Sequence, residues 1–169
     1  EQVLPGHGHV AQFINELFLF EEVHHSTVFG VHIYGMARKP NFIQLSHLVH
    51  PETLEGSLIH DGGGTIPGIQ FAQGGWDVRP HGNRVLNIDT GVLTDWAQLF
   101  DELGTPPLET RIVQPVTFGD LEALSVLANQ PERLHSHNYD WTAGWHETGA
   151  TDDGTIIRES KTPDSWENT

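Results

Sequence analysis

The chain has 169 residues, no cysteine, 23 acidic against 8 basic side chains, and a net charge of −15 with histidine neutral. Its length fits one domain with its own core. The missing thiols exclude disulfides, thiolate metal sites and cysteine nucleophiles, and the charge opposes binding to nucleic acid or to an anionic membrane. Twelve histidines remain as the main chemical resource, because imidazole both ligates transition metals and moves protons near neutral pH.

Residues 1–10, with His7-Gly8-His9 flanked by glycine, read as an extended or loosely ordered end. The opening Glu1, without a basic and apolar leader pattern, reads as a processed or artificial start. Residues 11–23 (AQFINELFLFEEV) carry both helical spacing and a continuous apolar run, and context favours a strand in the C-terminal half. Short segments rich in Val, Ile, Phe and Tyr follow at 28–36, 41–49, 57–60, 68–72 and 84–89. Gly, Pro, Asn and Asp separate them, which predicts strands joined by turns. In the first of these, Phe29, Val31 and Ile33 share one face while His32 and Tyr34 share the other. His60 to Gly64 (HDGGG) lacks both glycine-rich nucleotide fingerprints and reads as a hairpin connection, as does Gly74-Gly75.

Two helices are predicted in the second half. The first, 94–103, has Thr94 or Asp95 as its cap, Trp96, Leu99, Phe100 and Leu103 on one stripe, and Gly104 as its stop. The second, 120–129, carries Leu121, Leu124, Val126 and Leu127 and ends before Pro131. Between them, 109–118 (ETRIVQPVTF) reads as a strand interrupted at Pro115. The polar residues 158–169 read as a loose tail. The expectation is a single domain over 1–169, mainly β, with an antiparallel barrel or sandwich and two short helices in the C-terminal half. No stretch approaches the roughly 20 apolar residues a spanning helix needs.

His135-Ser136-His137 would put two imidazoles on one face of a strand, with His146 and Glu147 returning by a hairpin. The pair resembles the first motif of cupins, in which two histidines one residue apart precede a glutamate and a later histidine. Asp140 stands near the glutamate position and no histidine follows His146, so the family is not assigned. The leading expectation is a small β-barrel enzyme. It would hold one divalent transition metal (Fe, Mn, Zn, Cu or Ni) through His135, His137 and His146, with Glu147 as ligand or acid/base. Its chemistry would be oxygenase, lyase or isomerase work on a small hydrophobic or aromatic molecule near Trp141 and Trp145. A second reading is a metal-free barrel of lipocalin or dirigent kind, with His32 and Tyr34 as catalytic or polar handles. A third is an accessory subunit of a larger complex, with a homo-oligomer left open. Composition does not set the compartment.

Overall fold

The computed structural model describes residues 7–36, 38–132 and 147–155. The chain divides into two compact units, Glu1–Pro131 and Glu132–Thr169. The first holds strands β1 (His7–Ile14), β2 (Val28–Tyr34), β3 (Asn41–Leu48) and β4 (Leu86–Asp89), with helices α1 (Pro51–Leu58), α2 (Thr90–Phe100) and α3 (Phe118–Ala128). The second holds α4 (Glu147–Asp152). None of the helices is long and apolar enough to cross a membrane, among the described residues.

The strands form one four-stranded sheet in the order β2-β1-β3-β4. β1 runs antiparallel to β2 and parallel to β3, and β3 runs antiparallel to β4. Among the described residues the sheet is open, with β2 and β4 as its edges. This mixed sheet with helices replaces the expected antiparallel barrel, because β3 adds beside β1 rather than beside β2, leaving both ends of the sheet unjoined.

Period-two alternation along β1 explains how one strand serves two cores. Val10 packs with Phe42, Leu86 and Ile88 beneath Leu93 and Trp96 of α2 and Leu121 of α3. Its neighbour Ala11 faces the other way and packs with Phe13, Leu45 and Leu48, against Leu54 of α1 and Val85.

The helices begin where capping chemistry permits. The Asp89 carboxylate accepts from Val92 N at 3.0 Å and starts α2 four residues before the expected Thr94, while Asp120 accepts from Thr117 N at 2.9 Å and closes the first turn of α3. The strand expected over 57–60 is not formed, and its first two residues end helix α1. The buried side chains of α1 are Thr53 and Ser57 while Leu58 and Ile59 are exposed, so no apolar stripe announces it. Residues 68–72 also form no strand. They contribute one bridge, Gln70 to Trp76, closed through Gly74 and Gly75 at φ of 93° and 87°, values that favour glycine.

The predicted strand at 109–118 is irregular chain in the structure. β3 holds it through side chains instead of a backbone ladder: Gln44 Nε2 donates to Val113 O at 2.6 Å, Ser46 Oγ donates to Pro115 O, and His47 Nε2 donates to Gln114 O at 3.1 Å. Pro115 has no N–H to offer a ladder, which accounts for the exchange. Within 11–23 the strand occupies the N-terminal half, not the expected C-terminal half, and residues 7–10 open it. Residues 158–169 lie outside the described part of the chain.

Candidate functional site

The run Asn15-Glu16-Leu17-Phe18-Leu19-Phe20 leaves β1 and forms a loop that returns to β2. Asn15 organises it. Its backbone N–H donates to Thr27 O at 2.9 Å and ties the two ends of the loop together. Its side-chain amide donates to Phe20 O and Val23 O, both at 2.9 Å, and accepts from Phe20 N at 3.0 Å. Asn15 is fully buried, so these bonds form in a low-dielectric setting where an unmade one would be costly. A single turn of 3-10 helix, Asn15–Leu17, ends at Phe18 in the left-handed region at φ 51°.

A fixed backbone of this kind would ordinarily bury its apolar residues. Here it displays them. Leu17, Phe18, Leu19 and Phe20 are between 46% and 53% exposed. Phe20 stands edge-on to Phe29 of β2 with ring centroids 4.9 Å apart, and Phe29 stacks on Phe13 at 5.5 Å. Val31 and Ile33 follow Phe29 on the same face of β2 and are 52% and 57% exposed. The result is an apolar stripe running from the loop along an edge strand, larger than the scattered single residues normal on a monomer surface.

Beside this stripe lies a carboxylate-histidine couple. His25 Nδ1 and Glu16 Oε2 are 3.1 Å apart. The carboxylate can only accept, so Nδ1 carries the proton and Nε2 keeps a lone pair. The His25 hydrogen bond holds the Glu16 carboxyl below its usual value, with partial desolvation opposing and the Trp76 indole adding to the lowering. The His24 ring lies 4.3 Å from that of His25, and Ser26 Oγ donates to His24 Nδ1 at 2.7 Å. This array can orient an imidazole and accept a proton.

Four of the described histidines serve the backbone. His24, His50, His60 and His81 each accept on Nδ1 the N–H of the residue two places on: Ser26 at 3.3 Å, Glu52 at 3.2 Å, Gly62 at 2.9 Å and Asn83 at 3.0 Å. Imidazole Nδ1 stands as many bonds from Cα as the oxygen of asparagine, so histidine here closes the turns that asparagine usually closes. His50 caps α1 in this way, ahead of Pro51 in the first helical turn. In the neutral ring this puts the proton on Nε2, so these four rings are not set up as Nε2 metal ligands.

A second polar centre is structural. Arg84, only 1% exposed, donates from Nη2 to Gly68 O at 2.9 Å and Asp77 O at 2.6 Å, and from Nε to Arg79 O at 3.1 Å. Burial pushes its pKa down while the Asp77 charge opposes that shift. The buried Asp77 carboxylate takes Nε and Nη2 of Arg79 at 2.8 and 2.6 Å, together with Gly68 N at 3.1 Å. The Arg79 hydrogen bonds lead in lowering the Asp77 pKa from 3.8 to about 2, against desolvation. A depressed carboxylate stabilises the fold above its unfolded value and loses that contribution as pH falls toward about 2, here worth about 2 kcal/mol. The His81 ring is buried beside that of His60, with centroids 4.6 Å apart, and its Nε2 has no hydrogen-bond partner.

Of the residues predicted from sequence, His32 and Tyr34 lie on the edge strand β2, their rings stacked 6.1 Å apart at 14°. The open sheet gives them no barrel interior to line. Glu147 is the first residue of α4, and His135, His137 and His146 lie outside the described residues. Among the described residues no group of three or more His, Asp or Glu is placed to hold a metal. Sequence reasoning missed Asn15, Glu16 and Arg84. A polar Asn-Glu pair interrupting an apolar run was the available signal for the loop.

Comparison of the chain with protein-family models, with curated proteins and with solved structures yields no match.

Proposed function

We propose that the chain is an accessory, partner-docking subunit whose contact surface is the loop 15–27 together with β2. The observation that carries this reading is the run Leu17 to Phe20, half-exposed on a loop that the buried Asn15 holds in one conformation. Exposed apolar area forgoes about 25 cal/mol per Å² until a partner covers it. A pre-fixed loop loses little conformational entropy on docking, so more of that gain becomes affinity. Exposed Glu21 and Glu22 rim the run, which favours a protein partner with a neutral or cationic border over an anionic membrane.

The neutral hydrophobic dye Nile red tests the surface directly. The parent protein is expected to bind it with a rise in fluorescence, and Phe18→Glu/Leu19→Glu, with unchanged far-ultraviolet circular dichroism, is expected to lose most of that signal. An equal signal from the double variant would overturn the assignment.

The metal-enzyme reading is a separate proposal resting on sequence spacing, with His135, His137 and His146 as ligands of a divalent transition metal and Glu147 as ligand or acid/base. Elemental analysis decides it. Stoichiometric metal in the parent and none in His135→Ala/His137→Ala supports it, and a metal-free parent purified with metal supplied refutes it.

A further inference from the structure

The chain contains two Asp-Gly steps, Asp61-Gly62 and Asp153-Gly154. Aspartate ahead of glycine is open to a reaction of its own, because the next backbone nitrogen can attack the side-chain carboxyl and glycine has no Cβ to hinder the approach. The two steps are folded alike. Asp61 Oδ1 accepts from Gly63 N and Asp153 Oδ1 accepts from Thr155 N, each at 2.9 Å, which bends each carboxyl back over the peptide that follows it. Gly62 and Gly154 both lie in the left-handed region, at φ of 83° and 77°, and a Cβ built on either would meet nothing within 4 Å.

They differ in what accepts the glycine N–H. Gly154 N donates to Thr151 O at 3.2 Å, a carbonyl that does not take a proton at neutral pH. Gly62 N donates to His60 Nδ1 at 2.9 Å, and that lone pair does take one. The same nitrogen lies 3.6 Å from Asp61 Oδ1. One imidazole thus reaches both the proton that must leave the nucleophile and the carboxyl whose oxygen must depart. The Asp61 side chain is 91% exposed, so water reaches it.

We propose that Asp61-Gly62 is a site of spontaneous aspartate isomerisation, with His60 as the base that receives the proton of the attacking Gly62 nitrogen. In the first step Gly62 N bonds to Cγ of Asp61 in its acid form, the N–H proton passes to His60 Nδ1, and the Cγ–OH bond breaks. His60 returns the proton to the departing hydroxyl, which leaves as water and closes a five-membered imide. In the second step one water adds to the imide. Opening at the former side-chain carbonyl restores aspartate, and opening at the main-chain carbonyl leaves isoaspartate, joined to Gly62 through its β-carboxyl. Only water leaves and enters.

Asp153 is held back twice. Its glycine nitrogen has no base, and the Thr155 side-chain and backbone hydrogen bonds hold its carboxyl below the usual value, so less of it is the acid that can lose water. A positioned proton acceptor contributes about 10²–10⁴ in enzymes, and one partly exposed imidazole is expected to favour Asp61 over Asp153 by about tenfold.

The product fits its surroundings poorly. A Cβ on Gly82 would meet His60 O at 3.1 Å and Gly62 Cα and N at 3.3 Å, so two stretches of backbone pack directly together there, two residues before Arg84. Isoaspartate adds a methylene to the main chain at that crossing. The modification therefore loosens the segment that Arg84 anchors and gives the protein a chemical clock on its stability.

Incubation of the full chain at neutral pH in water enriched in oxygen-18, followed by tryptic digestion and mass spectrometry, tests the proposal. Each passage through the imide leaves a heavy oxygen on the aspartate concerned, and fragment ions separate isoaspartate from aspartate. Label is expected at Asp61 about tenfold faster than at Asp153, with isoaspartate accumulating at residue 61. His60→Asn keeps an acceptor for the Gly62 N–H but one that takes no proton, and is expected to bring Asp61 down to the rate of Asp153. In urea, which removes the turn, the two steps of the parent are expected to label at similar rates. Equal labelling of the two steps in the folded parent overturns the proposal, as does a folded His60→Asn variant that labels like the parent. A difference in urea as large as that in buffer overturns it too, because the neighbouring residues and not the turn would then set the rate.

Discussion

Arg84→Ala is expected to destabilise the first unit by about 3–5 kcal/mol, a large part of the 5–15 kcal/mol that a domain of this size holds in all. The guanidinium is the common partner of the Gly68, Asp77 and Arg79 carbonyls. Residues 61–81 contain no helix and no strand, so Arg84 supplies from one side chain what a backbone ladder would otherwise supply. Removing it leaves three carbonyls, one buried and two partly buried, short of a donor and withdraws a positive charge that interacts with the Asp77 carboxylate. Arg84→Lys keeps the charge but replaces a planar fork with one ammonium, and less than half of the loss is expected to be recovered. Urea unfolding followed by tryptophan fluorescence reads both variants. A loss below about 1 kcal/mol for Arg84→Ala, the level of an ordinary hydrogen bond, would mean that the segment is held by something else.

Trp96→Ala is expected to cost a similar amount, about 3–5 kcal/mol, by a different route. Trp96 is fully buried and meets Val10, Phe42, Leu86, Ile88, Leu93 and Leu121 in the core between the sheet and helices α2 and α3. Alanine would leave a cavity that these residues cannot close together, because strands and helices border it on opposite sides. The indole N–H has no hydrogen-bond partner, so the residue acts by volume. Trp96→Phe is accordingly expected to cost less than half as much, since it gives up volume but no hydrogen bond. Equal losses for phenylalanine and alanine in thermal or urea unfolding would show that the indole nitrogen matters after all.

These two residues also show what the sequence discloses and what it conceals. Trp96 was legible. It sits at helical spacing in an apolar stripe, and the structure places it at the centre of a core. The same stripe extended to Phe100 and Leu103 misleads, because α2 ends at Phe100 and Leu103 is exposed. Helix position, set by the Asp89 cap, decides which members of the stripe meet the sheet. β2 and β3 were legible because β-branched and aromatic residues cluster between turn formers. Their partners were not, since alternation says which side chains share a face and nothing about which strand lies alongside.

Arg84 and Asn15 were invisible for a common reason. Each acts by hydrogen-bonding backbone groups that lie near it only in the folded chain, and backbone groups leave no trace in a sequence. The histidines erred in the other direction. Their number suggested metal chemistry, yet four of the described ones close turns through Nδ1. Residue type told what each could do, and only geometry told which nitrogen was already occupied.

The place of β1 in the sheet has a consequence for how the chain reaches its fold. Among the described strands β1 comes first in sequence, yet it lies inside the sheet with a neighbour on each side. During synthesis it emerges before either neighbour exists. The nearer one, β2, closes first as a hairpin through the Asn15 loop, and the side of β1 that β3 will take stays open until residues 41–48 leave the ribosome. For that interval the β3 side of β1 is open, and its exposure to wrong partners is set by the speed of translation from residue 34 to residue 48.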